Sequence, residues 1–180
     1  MDELLLGMRI FLSTLFISTA LSKMKNFKNH VSVISSYKIF PDNWSKLIAI
    51  FDMVGEFIIG LLLFIGYIQP VMLVSVILLL IGYSFAIAIN LLKGRNNLSC
   101  GCGGITGDNN ISWLLVYRNI FFIVVAVFVL INNVKMFSID LHFTNLNAIF
   151  EVEYLPIILS TWMIAFIYLI INELIKIKTI

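Results

Sequence analysis

Cysteine, histidine and charge are all scarce in this sequence, and each shortage removes a class of function. The 180 residues hold two cysteines and two histidines. Two thiols cannot staple a small secreted scaffold. Nor can they supply the four thiolates of a structural zinc or iron–sulfur site within one chain. Charged side chains make up 12% of the residues and hydrophobic ones 61%, against roughly 25% charged and 45–50% apolar in a soluble domain. Too little polar surface remains to cover a water-soluble body, so the composition indicates a multi-pass membrane protein. The net charge of +2, with no basic aromatic patch, gives no footing for a nucleic-acid partner. The glycine-rich stretch Gly101 to Gly107 lacks the Lys-Ser/Thr of a phosphate-binding loop, which removes a nucleotide site.

What the chain has in quantity is apolar length. Leu4–Leu21 is just long enough to cross a hydrocarbon core of about 30 Å. Asp2 and Glu3 stand in front of it and Arg9 lies within it, which speaks for a retained span against a signal peptide. Leu47–Tyr67, Val71–Leu92 and Trp113–Ile131 are expected as the second, third and fourth spans, and Leu155–Ile171 as a fifth. Between the first two spans, Phe27, Val31, Ile34 and Tyr37 recur at a helical period among lysines, including Lys23. That pattern predicts a short amphipathic helix near 27–38, lying at the interface and broken by Pro41-Asp42. The implied fold is an all-α integral membrane bundle. Its organisation is a four-helix domain over residues 1–135 with a cysteine loop at 96–110, then a polar loop and an extra transmembrane helix over 136–180.

Ionisable groups inside spans are costly and mark function by default. Asp52 and Glu56 sit at i, i+4 and so share a helix face. Gly55 and Gly60, in the same span, are expected to let a neighbouring helix pack tightly. At about 1.5 Å per residue, Asp52 and Arg118 each lie about 7.5 Å below the surface that carries loops one and three. Glu56 lies about 13 Å and Arg9 about 18 Å below it on the same scale. The expectation is therefore two depth-matched pairs, Asp52 with Arg118 and Glu56 with Arg9, serving either chemistry or the cohesion of the bundle. His30 reads as an interfacial residue.

The cysteines stand together in Leu98-Ser-Cys-Gly-Cys-Gly-Gly104. Thiols at i, i+2 can close on one another if the backbone bends, and the intervening and following glycines permit that bend. Strained disulfides are the labile, catalytic kind. Lys93 and Arg95, close in sequence, would favour a thiolate. The lysines and arginines of loops one and three and the C-terminal tail number nine, against one in loop four. That count places the N-terminus outside and the cysteine loop in the cytoplasm, whereas oxidising a secreted client would want the loop outside; the side stays open. The N-terminus and the 134–154 loop should share one face in either case.

Arg9, Lys23, Phe27, Val31, Tyr37, Pro41, Glu56-x-x-x-Gly60, Ala88-x-Asn90, Gly94-Arg95, Cys100-Gly101-Cys102-Gly103 and Arg118-Asn119 follow one another as in MauE proteins, within the wider DoxX-like group. The resemblance covers about residues 1–135. It implies a four-helix membrane bundle with the paired cysteines in a loop after the third helix, and a link to the maturation of methylamine dehydrogenase. The family usually has Phe after the second cysteine, where this chain has Gly103. Three functions are compatible with these residues. The first is a membrane thiol–disulfide oxidoreductase, or an accessory to one. In it Cys100 and Cys102 are the redox pair, and Arg95, Arg118, Glu56, Asp52 and Arg9 are supporting charges. Electrons would pass to a membrane quinone or a thioredoxin-like partner, with the lipid bilayer and a secreted client as the other partners. The second is soft-metal handling by the two thiolates, although His30 and His142 belong to distant segments. The third is a structural assembly subunit.

Overall fold

The computed structural model describes residues 2–39, 41–95, 97–101 and 110–132, together with 156, 158–163 and 167. Five helices account for nearly all of them: α1 Asp2–Lys25, α2 Phe27–Ser36, α3 Asp42–Ile65, α4 Gln69–Leu92 and α5 Trp113–Asn132. Four of these, α1, α3, α4 and α5, are long and apolar enough to cross a membrane. The protein is thus an all-α, multi-pass membrane protein. The short helix expected near 27–38 is α2.

Helix ends follow local chemistry. α3 stops at Gly66, whose φ of +68° is open to a residue without Cβ. Its N–H donates to Leu63 O at 3.3 Å and that of Tyr67 to Leu62 O at 3.0 Å, the paired bonds that close a helix C-terminus. Pro70 sits in the first turn of α4, where its missing N–H costs nothing. α4 closes in the same way, with Gly94 at φ +72° and N–H bonds from Gly94 to Leu91 O and Arg95 to Asn90 O, both 3.0 Å. The α2–α3 turn is held by Ser35, whose hydroxyl donates to Asp42 Oδ1 at 2.6 Å.

α1 packs on α3, α4 on α5, and α2 lies across α3; lesser contacts join α1 to α5 and α3 to α4. The main core takes Leu6, Ile10, Leu12 and Phe16 from α1, then Leu63, Leu73 and Phe122 from its neighbours. α1 is the most enclosed span. Phe51, Leu78, Leu114 and Ile131 point outward, each more than half exposed. Large apolar side chains displayed on several spans are what a hydrocarbon solvent allows, because lipid tails are as apolar as leucine. The two span glycines behave differently from the expectation that both admit a neighbour. A Cβ on Gly60 would meet Ile17 Cγ1 at 2.9 Å and the Ile17 backbone N at 3.1 Å, so α1 and α3 approach closely there. A Cβ on Gly55 would meet nothing within 4 Å.

A smaller cluster of Ile87, Cys100, Ile111, Leu115 and Val116, with Tyr37 packed against it, caps the end of the bundle where α2 lies. The base of the cysteine loop is pinched by an antiparallel bridge between Ser99 and Asn110, and Ile111 N donates to Leu98 O at 2.8 Å. Loops one and three therefore meet at one end, as the span order requires. The fifth span and the 134–154 loop fall largely outside the described residues. Residues 158–163 are helical, and Thr161 is buried next to Gly7 of α1.

Candidate functional site

Four helices bring polar side chains to one point inside the bundle. α1 supplies Thr19 and Lys23, which share a face at i, i+4. α2 supplies His30, α3 supplies Asp52 and Glu56, again at i, i+4, and α4 supplies Tyr83. Lys23 Nζ lies 2.7 Å from Asp52 Oδ2 and 2.8 Å from Glu56 Oε2, and its side chain is 5% exposed. His30 Nε2 sits 3.0 Å from Asp52 Oδ2, in ion-pair range. The Tyr83 hydroxyl donates to Asp52 Oδ1 and to Glu56 Oε1, the latter at 2.7 Å. Tyr83 has one hydrogen to give, so the two carboxylates share it. Thr19 Oγ1 stands 3.3 Å from Glu56 Oε2, and Lys23 Nζ lies 5.0 Å from the centre of the Tyr83 ring.

The two expected charge pairs are replaced by this cluster. Among the described residues, every ion pair joins Lys23 or His30 to Asp52 or Glu56. Arg9 is fully buried toward the opposite end and donates from Nη1 to Gln69 Oε1 at 3.1 Å. Fourteen residues of helix separate it from Lys23, about 21 Å at 1.5 Å per residue. α1 continues to Lys25 instead of ending at Leu21. Lys23 is thereby placed inside the bundle, and its stem reaches the carboxylates before either arginine can. Arg118 lines the same cavity as Asp52. Arg95 turns back on the C-terminus of α4, with Nη1 3.5 Å from Asn90 Oδ1. Lys23, Thr19, His30 and Tyr83 escaped the sequence reading as members of this site. The spacing of Thr19 and Lys23, which repeats that of Asp52 and Glu56, was the available signal.

Cys100 is 9% exposed and is not a free thiol; Cys102 lies outside the described residues. The Tyr37 hydroxyl donates to Ser99 O at 3.3 Å and Cys100 O at 3.4 Å, tying this backbone to α2. Gly101 N donates to Ser99 Oγ at 3.2 Å. Gly101 has φ +65°, and a Cβ there would fall 2.9 Å from Val33 Cγ1. Both observations demand glycine between the cysteines. His30, Val33 and Tyr37 follow at i, i+3 and i+7, so one face of α2 touches the charged cluster at one end and the cysteine segment at the other.

A cavity of about 470 Å³ joins the two features. Leu15, Phe16, Ile87 and Phe122 make apolar walls, the charged cluster makes one polar side with Asn119 nearby, and Cys100 and Gly101 border it as well.

No solved structure matches this chain. Among curated proteins it is 33% identical to a methylamine utilization protein MauE of Paracoccus denitrificans over 114 residues, 63% of this chain and 61% of the relative. It is 31% identical over 113 residues to the protein of the same name from Paracoccus versutus, again 63% and 61% of the two chains. The alignments thus span about three fifths of the length of these relatives. Residues 1–132, which run from the N-terminus to the end of α5 and enclose both the charged cluster and the cysteine loop, match the family described as Methylamine utilisation protein MauE, and the chain belongs to that family.

Proposed function

We propose that this protein is a membrane accessory of methylamine utilisation. In this reading it matures a disulfide-containing client, of the methylamine dehydrogenase kind, by thiol–disulfide exchange at Cys100 and Cys102. The observation that carries the reading is the seat of Cys100. It is buried, not a free thiol, fastened through its own carbonyl to Tyr37, and bordering a cavity that holds a buried charged cluster. A client thiolate attacks one sulfur of the Cys100–Cys102 disulfide and forms a mixed disulfide, releasing the other sulfur as a thiolate. The second client thiol then displaces the mixed bond, leaving an oxidised client and a reduced Cys100–Cys102 pair. Asp52, Glu56, Lys23 and His30 hold the cavity in shape beside the pair, with Arg9, Arg95 and Arg118 as supporting charges around the bundle.

Cys100→Ser and Cys102→Ser test this in cells that depend on methylamine. Each is expected to abolish formation of active methylamine dehydrogenase at unchanged membrane abundance, since neither side chain is needed to span the bilayer. One of the two should accumulate a mixed disulfide with the client, because attack and resolution are separate tasks. Full maturation in both variants would make the protein an assembly subunit. Loss of a bound ion in both, with no mixed disulfide, would make it a soft-metal site.

A further inference from the structure

A Cys100–Cys102 pair that has oxidised a client must lose two electrons and two protons before it can act again. We propose that the cavity between the helices takes the ring of a lipid-soluble quinone, and that this quinone is the acceptor. The inference rests on the thiol–disulfide reading above and names its oxidant. Oxidation of the dithiol breaks two S–H bonds and forms one S–S bond. The two electrons and two protons convert the two ring carbonyls of the quinone into hydroxyls.

Three features of the cavity select that ligand. The first is its opening. Leu78 and Phe85 of α4 line it and are 63% and 66% exposed, and Gly82 between them is exposed too. A wall that is at once cavity lining and lipid-facing surface gives access sideways from the hydrocarbon, where a lipid-soluble carrier resides. The second is a pair of polar groups with work left to do. Asn119 is 4% exposed and its Nδ2 has no hydrogen-bond partner among the described residues; the same holds for Nδ1 of His30, 7% exposed. Both residues line the cavity, from α5 and α2 respectively. A buried donor left unsatisfied is destabilising, and the ring oxygen of a quinone would satisfy it. The Asn119 amide donates to one ring oxygen. His30, whose Nε2 faces Asp52, offers Nδ1 to the other: as an acceptor from a hydroquinone hydroxyl when neutral, and as a donor to a carbonyl when protonated. The third feature is Cys100, which borders the same space. The volume of about 470 Å³ falls within the usual range for a small-molecule site, roughly 300–1,000 Å³.

Glycine at position 82 supplies a clean test. A Cβ there meets nothing within 4 Å, so the backbone at 82 accepts a side chain, and Gly82→Trp is designed to block the opening. Gly55 is equally uncrowded but does not line the cavity, and Gly55→Trp is the matched control. The full-length protein in quinone-free lipid nanodiscs is titrated with decylubiquinone. In a second assay the protein is reduced, freed of reductant and mixed with the same quinone. The parent and Gly55→Trp are expected to bind it and to yield stoichiometric hydroquinone. Gly82→Trp and Asn119→Leu are expected to bind about tenfold more weakly or worse, a loss of about 1.4 kcal/mol or more. Their thermal unfolding and elution profile should match the parent. The Cys100→Ser/Cys102→Ser double variant should bind quinone as the parent does and reduce none. Equal binding in the parent, Gly82→Trp and Asn119→Leu would overturn the proposal, and so would a parent that binds no decylubiquinone. A reduced parent oxidised by a thioredoxin-like protein but not by quinone would overturn it as well. The thiol–disulfide reading would fall separately, if the double-serine variant still matured its client.

Discussion

Lys23 holds two carboxylates that would otherwise face each other with no lysine between them, at 2.7 and 2.8 Å. Removing one member of such a buried set is strongly destabilising, because the two carboxylates left behind lose their shared cation and keep only His30, at Asp52, and the Tyr83 hydroxyl beside them. Lys23→Met is expected to lower stability in detergent by about 3–5 kcal/mol, read as a fall in the unfolding midpoint. Adding Glu56→Gln to that variant should recover part of the loss, since it removes the carboxylate whose ion pair, among the described residues, is with Lys23 alone. Absence of any recovery would show that Lys23 acts through packing alone. At the same scale, Gly101→Ala should loosen the cysteine segment. The new Cβ would force both a left-handed backbone conformation on alanine and a 2.9 Å contact with Val33. Cys100 and Cys102, once reduced, are then expected to react faster with a maleimide than in the parent protein.

α2 couples the two halves of the site. Its buried face carries His30 and Val33, while Lys28, Asn29 and Ser32 are exposed. Tyr37→Phe removes the hydroxyl that holds Ser99 and Cys100 but keeps the ring in its cluster. It should raise thiol reactivity while shifting stability by only about 0.5–1.5 kcal/mol. In α3, Gly60→Ala should cost about 1–3 kcal/mol by forcing α1 and α3 apart at Ile17, whereas Gly55→Ala should be neutral. The elements themselves were legible from apolar length and helical period, which is why the span order and α2 came through. Helix ends were less so. Lys23 looked like a loop residue because a lysine ends an apolar run, yet its paired carboxylates on a neighbouring helix make about one more turn of α1 worth forming. Tyr83 was hidden by its surroundings: one phenol in a run of leucine and isoleucine has no periodic mark, and only the folded bundle sets it against Asp52 and Glu56. The glycines show the same limit, since Gly55 and Gly60 look alike in sequence and only packing separates them.

Across the whole molecule, four spanning helices put the N-terminal end of α1 and the α3–α4 turn at one end, and α2 and the cysteine loop at the other. Single cysteines introduced at Glu3 and Tyr67, in a background lacking the native pair, should label from the same side; one at Lys28 should label from the opposite side. The loop over 134–154 is expected on the Glu3 side. Opposite accessibility of Glu3 and Tyr67 would break the span assignment. Cys100 and Cys102 are expected to turn over between disulfide and dithiol, and alkylation after acid quenching of intact membranes measures this most directly. Both forms are expected in cells making the client, with the dithiol fraction rising when reduced client is supplied and falling again as the pair is reoxidised. A pair that stays in one state throughout client maturation would contradict it.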